Sequence, residues 1–411
     1  MKLAAIALRN LARNRRRTVL SLLVIASGTA ALLLTAGFVR FSFSGLEDAI
    51  IRGGLGHFEV VLEDEAALAS TQRAALPRLA DWQAVRAAIE AAPQVRAAGG
   101  VIQLSGVVGL GDRSSAFLAL AVEPDRERRM GFDVKLREGE DLPGEPPAEG
   151  ADRVLLGLGL ARAIGARAGD AVTLMVVTPD GMLNAVDMTV CGLFTSGLQD
   201  LDLRLIKLHL ASAQRLAETE GVSSIVVGLA DGAALEPARA ELLRRLSGRN
   251  PRLALLDWRS RAPFYGQVRS LYSGIFWFLG GIVFLLVCLS NSSALLMAMM
   301  ERVREIGTLL ALGTSRAGIG ALFLSEALWL GLLGALAGDA LGLALARVLN
   351  ALRIEMPPPP GAVSGFPLQL ELAPQDFLLA TCLMLAVMAV SALLPILRAT
   401  RLRIVDALGH V

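Results

Sequence analysis

RNRRRTVLSLLVIASGTAALLLTAGFV, residues 13–39, places four arginines directly before twenty-two uncharged, mostly apolar residues, Thr18–Val39. At about 1.5 Å of helical rise per residue, such a run crosses a hydrocarbon core of about 30 Å. A cleavable signal has a shorter apolar region, about 7–15 residues, closed by a small-x-small pattern. No such pattern closes this run before Arg40, so the sequence predicts a retained membrane helix. Three further windows resemble it: Ser270–Met300 without a charge, Ala317–Ala346 broken only by Glu326 and Asp339, and Phe377–Leu397. The composition agrees, because 54% hydrophobic residues, 19% charged residues and a mean hydropathy of +0.55 are too apolar for a string of soluble domains in 411 residues. Disorder and a collagen repeat are excluded by the apolar content, and a disulfide scaffold by the presence of only three cysteines.

The net charge of +2 hides an asymmetry that orients the spans. With the N-terminus inside, segments 1–17, 301–316 and 398–411 carry twelve basic and three acidic residues, whereas loop 347–376 carries two and three. Short loops rich in Lys and Arg stay on the cytoplasmic side, and long domains carry no weight in this rule. Both termini are therefore expected in the cytoplasm of a multi-pass protein, with residues 40–269 outside. Only Cys191 falls in that outer region, so it must be held by its own core rather than by a disulfide.

The expected organisation is a cytoplasmic basic segment 1–17, span 18–39, stalk 40–57, an α+β domain 58–258, stalk and second span 259–300, a cytoplasmic helix 301–316, span 317–346, loop 347–376, span 377–397 and tail 398–411. The stalk rests on helical spacing of Phe43, Leu46, Ile50 and Ile51, stopped by glycine pairs, with Arg259–Arg269 as its partner. In the domain, FEVVL (58–62), VIQLSGVV (101–108), AFLALAV (116–122), AVTLMVV (171–177), MTVCGLF (188–194), RLIKLHL (204–210) and SIVVGL (224–229) read as strands. Helical spacing appears from Trp82 to Ile89, in 211–219 and in 233–247, and Leu253–Leu256 closes a strand–helix–strand passage. The middle, about 105–200, is β-rich, and Arg137–Pro147 reads as a surface loop.

Several chemistries are missing. Lysine occurs only at Lys2, Lys135 and Lys207, preceded by Met1, Val134 and Ile206, so no Gly-Lys-Ser/Thr phosphate loop exists. There is no His-Glu-x-x-His and no Gly-x-Ser-x-Gly, and His57 and His209 are isolated and read as structural. No catalytic, metal or cofactor residue is assigned, and no nucleic acid is expected as a partner. Energy for any driven process must then enter from another chain.

The spans carry their own signals. Gly334, Gly338 and Gly342 lie one turn apart on one helix face, spacing that allows close approach of another helix; intrachain packing is the favoured use over a dimer seam. Asp339, near the outer end, is read as reaching water. Glu326, nearer the inner end and with no basic partner in the spans, is read as facing protein or water rather than an ion pathway. Between the second and third spans, Val303, Ile306 and Leu310 fall on one face of a short amphipathic helix bounded by Gly313 and Thr314. Periodicity leaves open whether that helix lies on lipid or in a protein groove.

The run ERVREIGTLLALGTSRAGI (301–319), followed by LFLSEALWLGLLGALAG (322–338), resembles the signature of the FtsX-like ABC transporter permeases, the group that includes MacB and the lipoprotein-release permeases LolC and LolE. The stretches ALRNLARNRRRTVLSLLVIASG and PILRATRLRIVDALGHV resemble the family's first span and its ending, with Asp406 where Glu is commoner. VLLGLGLARAIGARAGDAVTL and VCGLFTSGLQDLDLRLIKLHLASAQRL are similar to the MacB-type periplasmic core. The resemblance implies four membrane helices with a porter-plus-sabre periplasmic domain inserted between the first two, in a bacterial inner membrane. It implies a second permease copy or paralogue, and a cytoplasmic ABC ATPase that holds the ATP and magnesium. Segment 301–316 would be the ATPase-coupling helix, with Glu301, Arg304, Glu305, Ile306, Gly307, Leu310 and Gly313 as its motif. The function implied is mechanotransmission, in which ATP-driven motion reaches a periplasmic domain that moves or releases a lipoprotein, lipid-linked or hydrophobic substrate, aided by a periplasmic acceptor or adaptor and by membrane lipids. The alternative is signalling that activates a cell-wall hydrolase without transport.

Overall fold

A computed structural model describes residues 15–66, 77–132, 134–197, 199–230, 235–249, 251–356 and 366–400. The basic segment through residue 14, the proline run 357–360 and the tail from residue 401 lie outside the described residues. The described residues divide into two compact units, one within 45–267 and a helical one comprising 15–44, 268–356 and 367–400.

The elements run α1 (Arg15–Ile50), a π-helical turn (Ile51–Leu55), β1 (Phe58–Leu62), α2 (Trp82–Glu90), β2 (Val95–Leu110), β3 (Arg113–Val122), α3 (Pro124–Met130), β4 (Lys135–Gly139), β5 (Arg153–Gly157), α4 (Leu158–Ile164), β6 (Ala171–Val177) and β7 (Leu183–Thr195). They continue with β8 (Leu205–His209), α5 (Leu210–Ala217), β9 (Ser224–Leu229), α6 (Leu235–Leu246), β10 (Leu253–Asp257), α7 (Pro263–Glu301), α8 (Val303–Ala311), α9 (Arg316–Leu352) and α10 (Pro374–Thr400).

The inserted unit is α+β. Its strands follow the order β10-β1-β9-β2-β3-β8-β5-β7-β4, with β6 bridging β2 and β7. The sixteen-residue β2 joins two regions: Val95–Val101 pairs with β9, while Ile102–Leu110 pairs with β3 and Gly106–Gly109 also with β6. Gly106 is required there, because a Cβ would lie 2.1 Å from the Met175 carbonyl. The largest apolar core of this unit includes Trp82, Val85 and Ile89 of α2, Ala238, Leu242 and Leu246 of α6, and fully buried strand residues such as Val60, Ile102, Leu156 and Ile206. Each such aliphatic side chain contributes about 1.5–3 kcal/mol on burial.

Two features differ from the sequence reading. Arg137–Gly139 is not loop but the end of edge strand β4, paired with β7, and Leu142 beyond it is buried against Leu155 and Phe194. β5, unassigned from the sequence, pairs parallel to β7 and antiparallel to β8. Its apolar run VLLG has no alternation and passes directly into α4, so periodicity could not separate strand from helix. The stalk segments do meet within this unit: Leu46, Ile50, Ile51 and Leu55 pack with Trp258, Ala262 and Tyr265, and Gly54 and Gly56, both at positive φ, end the helical path.

In the helical unit, α1, α7, α9 and α10 are long and apolar enough to cross a membrane. α9 and α10 extend past the uncharged windows to Leu352 and back to Pro374. α9 lies close to α1 because its glycines leave no side chain between them. A Cβ at Gly334 would meet Ile25 at 2.5 Å, one at Gly338 would meet Thr29 at 2.5 Å, and one at Gly342 would meet Leu33 at 2.9 Å. α10 packs Met384, Val387 and Met388 into the same cluster. α7 contributes Val287 and Leu295 to that cluster and otherwise presents large apolar side chains outward, among them Trp277, Phe278 and Leu286. The polar step in α7 is satisfied within the helix, where buried Asn291 donates to the Val287 carbonyl at 3.0 Å.

Candidate functional site

The connection between α7 and α9 is built around a corner at Arg302. α7 ends at Glu301, Arg302 leaves helical geometry (φ −111°, ψ 13°), and α8 starts at Val303. α8 stops because Gly313 adopts φ 92° and Gly313 and Thr314 return their N–H groups to the Leu310 and Leu309 carbonyls. Ser315 then caps α9, its Oγ accepting from Gly318 N–H at 3.1 Å. The helix inside segment 301–316 is thus nine residues, with a turn and a cap completing it.

α8 has two distinct faces. Val303, Ile306 and Gly307 are buried, and Ile306 packs with Met299, Ile319, Phe323 and Ala399, with Leu310 partly buried beside them. Glu301, Arg304, Glu305, Thr308, Leu309 and Leu312 point outward, Leu312 being 80% exposed. Of the motif read from the sequence, the structure therefore sets Ile306 and Gly307 inward, Leu310 at the margin, and Glu301, Arg304, Glu305 and Gly313 outward. The glycines at 334, 338 and 342 belong elsewhere, at the contact of α9 with α1 of the same chain.

Glu326 faces protein, as expected, but with a basic partner outside the spans: Arg302 Nη1 donates to Glu326 Oε1 at 3.1 Å, with the side chains 15% and 6% exposed. The partner was missed because it sits twenty-four residues earlier, outside any span, where helical spacing gives no signal. Asp339 is half-buried rather than directed to water: its Oδ2 accepts from Thr381 Oγ1 of α10 at 2.8 Å, and its Oδ1 is buried. Another pair was also unread. Arg40 of α1 holds Asp376 of α10 through two hydrogen bonds, at 3.1 and 2.6 Å, and Asp376 further accepts from Ala373 N–H at 2.9 Å.

The family model for the MacB-like periplasmic core domain matches residues 18–245, and that for the FtsX-like permease C-terminal region matches residues 277–404. The chain belongs to the FtsX-like permeases with a MacB-like periplasmic core domain. It is an ABC transporter permease of the MacB/LolC type, with four helices long and apolar enough to cross a membrane. The permease is 24% identical over 428 aligned positions to the lipoprotein-releasing system transmembrane protein LolC of Xylella fastidiosa (strain Temecula1), covering 99% of this chain and 98% of that one. Against LolC of Neisseria meningitidis serogroup B it is 28% identical over 234 positions, 54% of each chain. Among solved structures it is similar to the periplasmic region of MacB from Actinobacillus actinomycetemcomitans, with 14% identity, a TM-score of 0.36, and coverage of 53% of this chain and 95% of that one.

The isolated histidines of the permease serve its backbone. His57 Nδ1 accepts from Leu229 N–H at 3.1 Å and His209 Nδ1 accepts from Ala211 N–H at 3.1 Å, the latter capping α5. Burial pushes both below the usual histidine range, which keeps these nitrogens available as acceptors. Cys191 is equally unreactive: burial pushes its thiol up to about 11, and its Sγ donates to the Val154 carbonyl at 3.3 Å.

Proposed function

We propose that this permease is the membrane subunit of a transporter driven by a separate cytoplasmic ATPase that docks on the outward face of α8. The observation that carries this reading is the use of both faces of that helix. A helix lying on lipid turns its apolar face to the acyl chains, but here Val303 and Ile306 are consumed by packing within the chain. What remains outward is Glu301, Arg304 and Glu305 with Leu309 and Leu312, a charged surface with apolar anchors that suits a protein groove. ATP and magnesium would bind the ATPase, and a second copy or a related permease would complete the pair.

The charge bias favours both termini in the cytoplasm and the inserted domain in the periplasm of a bacterial inner membrane. The similarity to lipoprotein-releasing LolC proteins supports a lipoprotein, lipid-linked or hydrophobic substrate, received outside by an acceptor or adaptor. Mass spectrometry of what co-purifies with the full chain from native membranes, with ATP turnover assayed on the same sample, tests the docking. A phosphate-loop ATPase is expected in the parent. Glu305→Lys is expected to leave membrane insertion intact and to reduce ATPase recovery or turnover about fivefold or more. Full recovery and turnover in that variant would remove the role of this face. Recovery of a cell-wall hydrolase in place of a lipid-carrying acceptor would turn the reading toward signalling.

A further inference from the structure

Arg302 and Glu326 form a contact that the docking surface itself does not require. Arg302 occupies the one non-helical position between α7 and α8, and its guanidinium reaches a carboxylate ten residues into α9, about 15 Å above that helix's start. The pair lies at the end of an apolar strip, because Ile319, Phe323 and Glu326 share one face of α9 and the first two receive Ile306 of α8. On the other side of Arg302, Glu305 Oε2 approaches Nε at 3.9 Å. Apolar contacts between helices tolerate sliding. A buried carboxylate paired with a guanidinium does not, since displacement would leave charge unpaired in a poorly solvated place.

We propose that Arg302 and Glu326 are positioning residues that lock α8 to α9, so that the two move as one lever when a protein bound to α8 displaces it. This rests on the docking reading above. The lever continues into the glycine contact of α9 with α1, where Gly334, Gly338 and Gly342 allow no intervening side chain and hence little independent movement. Thus a motion received at α8 reaches α1 through two close contacts, one ionic and one steric.

Two measurements on the full chain test the lock. In the first, spin labels are placed at Leu309→Cys on α8 and Leu336→Cys on α9, both outward positions, with the native cysteines replaced by serine. A narrow distance distribution is expected in the parent, a broad one in Glu326→Gln, and a narrow one again when the charges are exchanged in Arg302→Glu/Glu326→Arg. A distribution in Glu326→Gln as narrow as the parent's would overturn the lock, leaving the Ile306–Phe323 packing as sufficient.

The second measurement is ATP turnover of the complex purified with its ATPase. Glu326→Gln is expected to lower kcat about five- to tenfold with the KM for ATP and the amount of bound ATPase unchanged, and the exchanged pair to recover it. Loss of bound ATPase in Glu326→Gln, or an unchanged kcat, would contradict a positioning role. Glu326→Asp supplies a second variant should Glu326→Gln fail to insert, with an intermediate width and turnover expected and values equal to the parent's counting against the lock. Absence of any ATPase from the parent complex would defeat the docking reading alone, because the spin-label distances decide the lock without it.

Discussion

In the inserted domain the apolar core is filled by large side chains: Val60, Ile102, Leu156, Ile206 and Leu208 have no exposed surface. In the helical unit the closest approach is made by glycines, with Gly334, Gly338 and Gly342 against Ile25, Thr29 and Leu33. Water drives the first arrangement, because removing aliphatic surface from it is favourable at about 25 cal/mol per Å². Lipid offers no such drive, so helices gain contact by bringing backbones together. The same leucine therefore has a different meaning in the two regions: Leu208 is core, whereas Leu286 of α7 is 62% exposed and suited to acyl chains.

Buried charge sharpens the contrast. Lys207 of β8 donates to both carboxylate oxygens of Glu127 in α3, at 3.0 and 2.9 Å, with both side chains under 10% exposed. Lys207→Ala should be the most damaging single change, costing about 3–5 kcal/mol by leaving Glu127 buried without its cation. Denaturant unfolding of the full chain in detergent, followed by near-ultraviolet circular dichroism, would read it, and a cost below 1 kcal/mol would mean that Glu127 is resolvated. Leu208→Ala, in the neighbouring position, should cost about 2–5 kcal/mol in the same assay through lost burial and a residual cavity.

Gly338→Leu tests the other region. Its Cβ would meet Thr29 Cβ and the Ala26 carbonyl at 2.5 and 2.6 Å, and because the latter is backbone, the helices must separate. A destabilisation of about 1–3 kcal/mol is expected, measured as loss of cross-linking between cysteines introduced on α1 and α9. Unchanged cross-linking would show that the two helices do not rely on close approach. Leu286→Ala should be the mildest, within about 0.5 kcal/mol, since it removes a side chain that is 62% exposed. A large effect there would reveal a partner covering α7.

How much of this was readable differs by region for the same reason. The spans were legible because each is a long local run whose apolarity needs no knowledge of the rest of the chain. Most strands were legible by alternation or by apolar runs between turns, for example AFLALAV within β3. β5 was not, since a short continuous run followed at once by a helix has no period of its own. Nor was the β4 segment, where every residue of KLREG lies exposed at the sheet edge and the stretch carries the charges of a loop. In the candidate site, the amphipathic pattern of Val303, Ile306 and Leu310 identified the helix, but not what its apolar side touches.

The sequence by itself determined the four membrane helices, the α+β insert between the first two, the absence of a phosphate loop and the position of the short amphipathic helix between the second and third spans. These follow from local composition and from spacing within a single element. Only the tertiary structure decided that Glu326 is paired with Arg302, that Arg40 holds Asp376, that the glycine face meets α1, and that the charged side of α8 is the one left outward. Each of these joins residues far apart in the chain, and neither charge nor periodicity specifies which distant partner a buried group will meet.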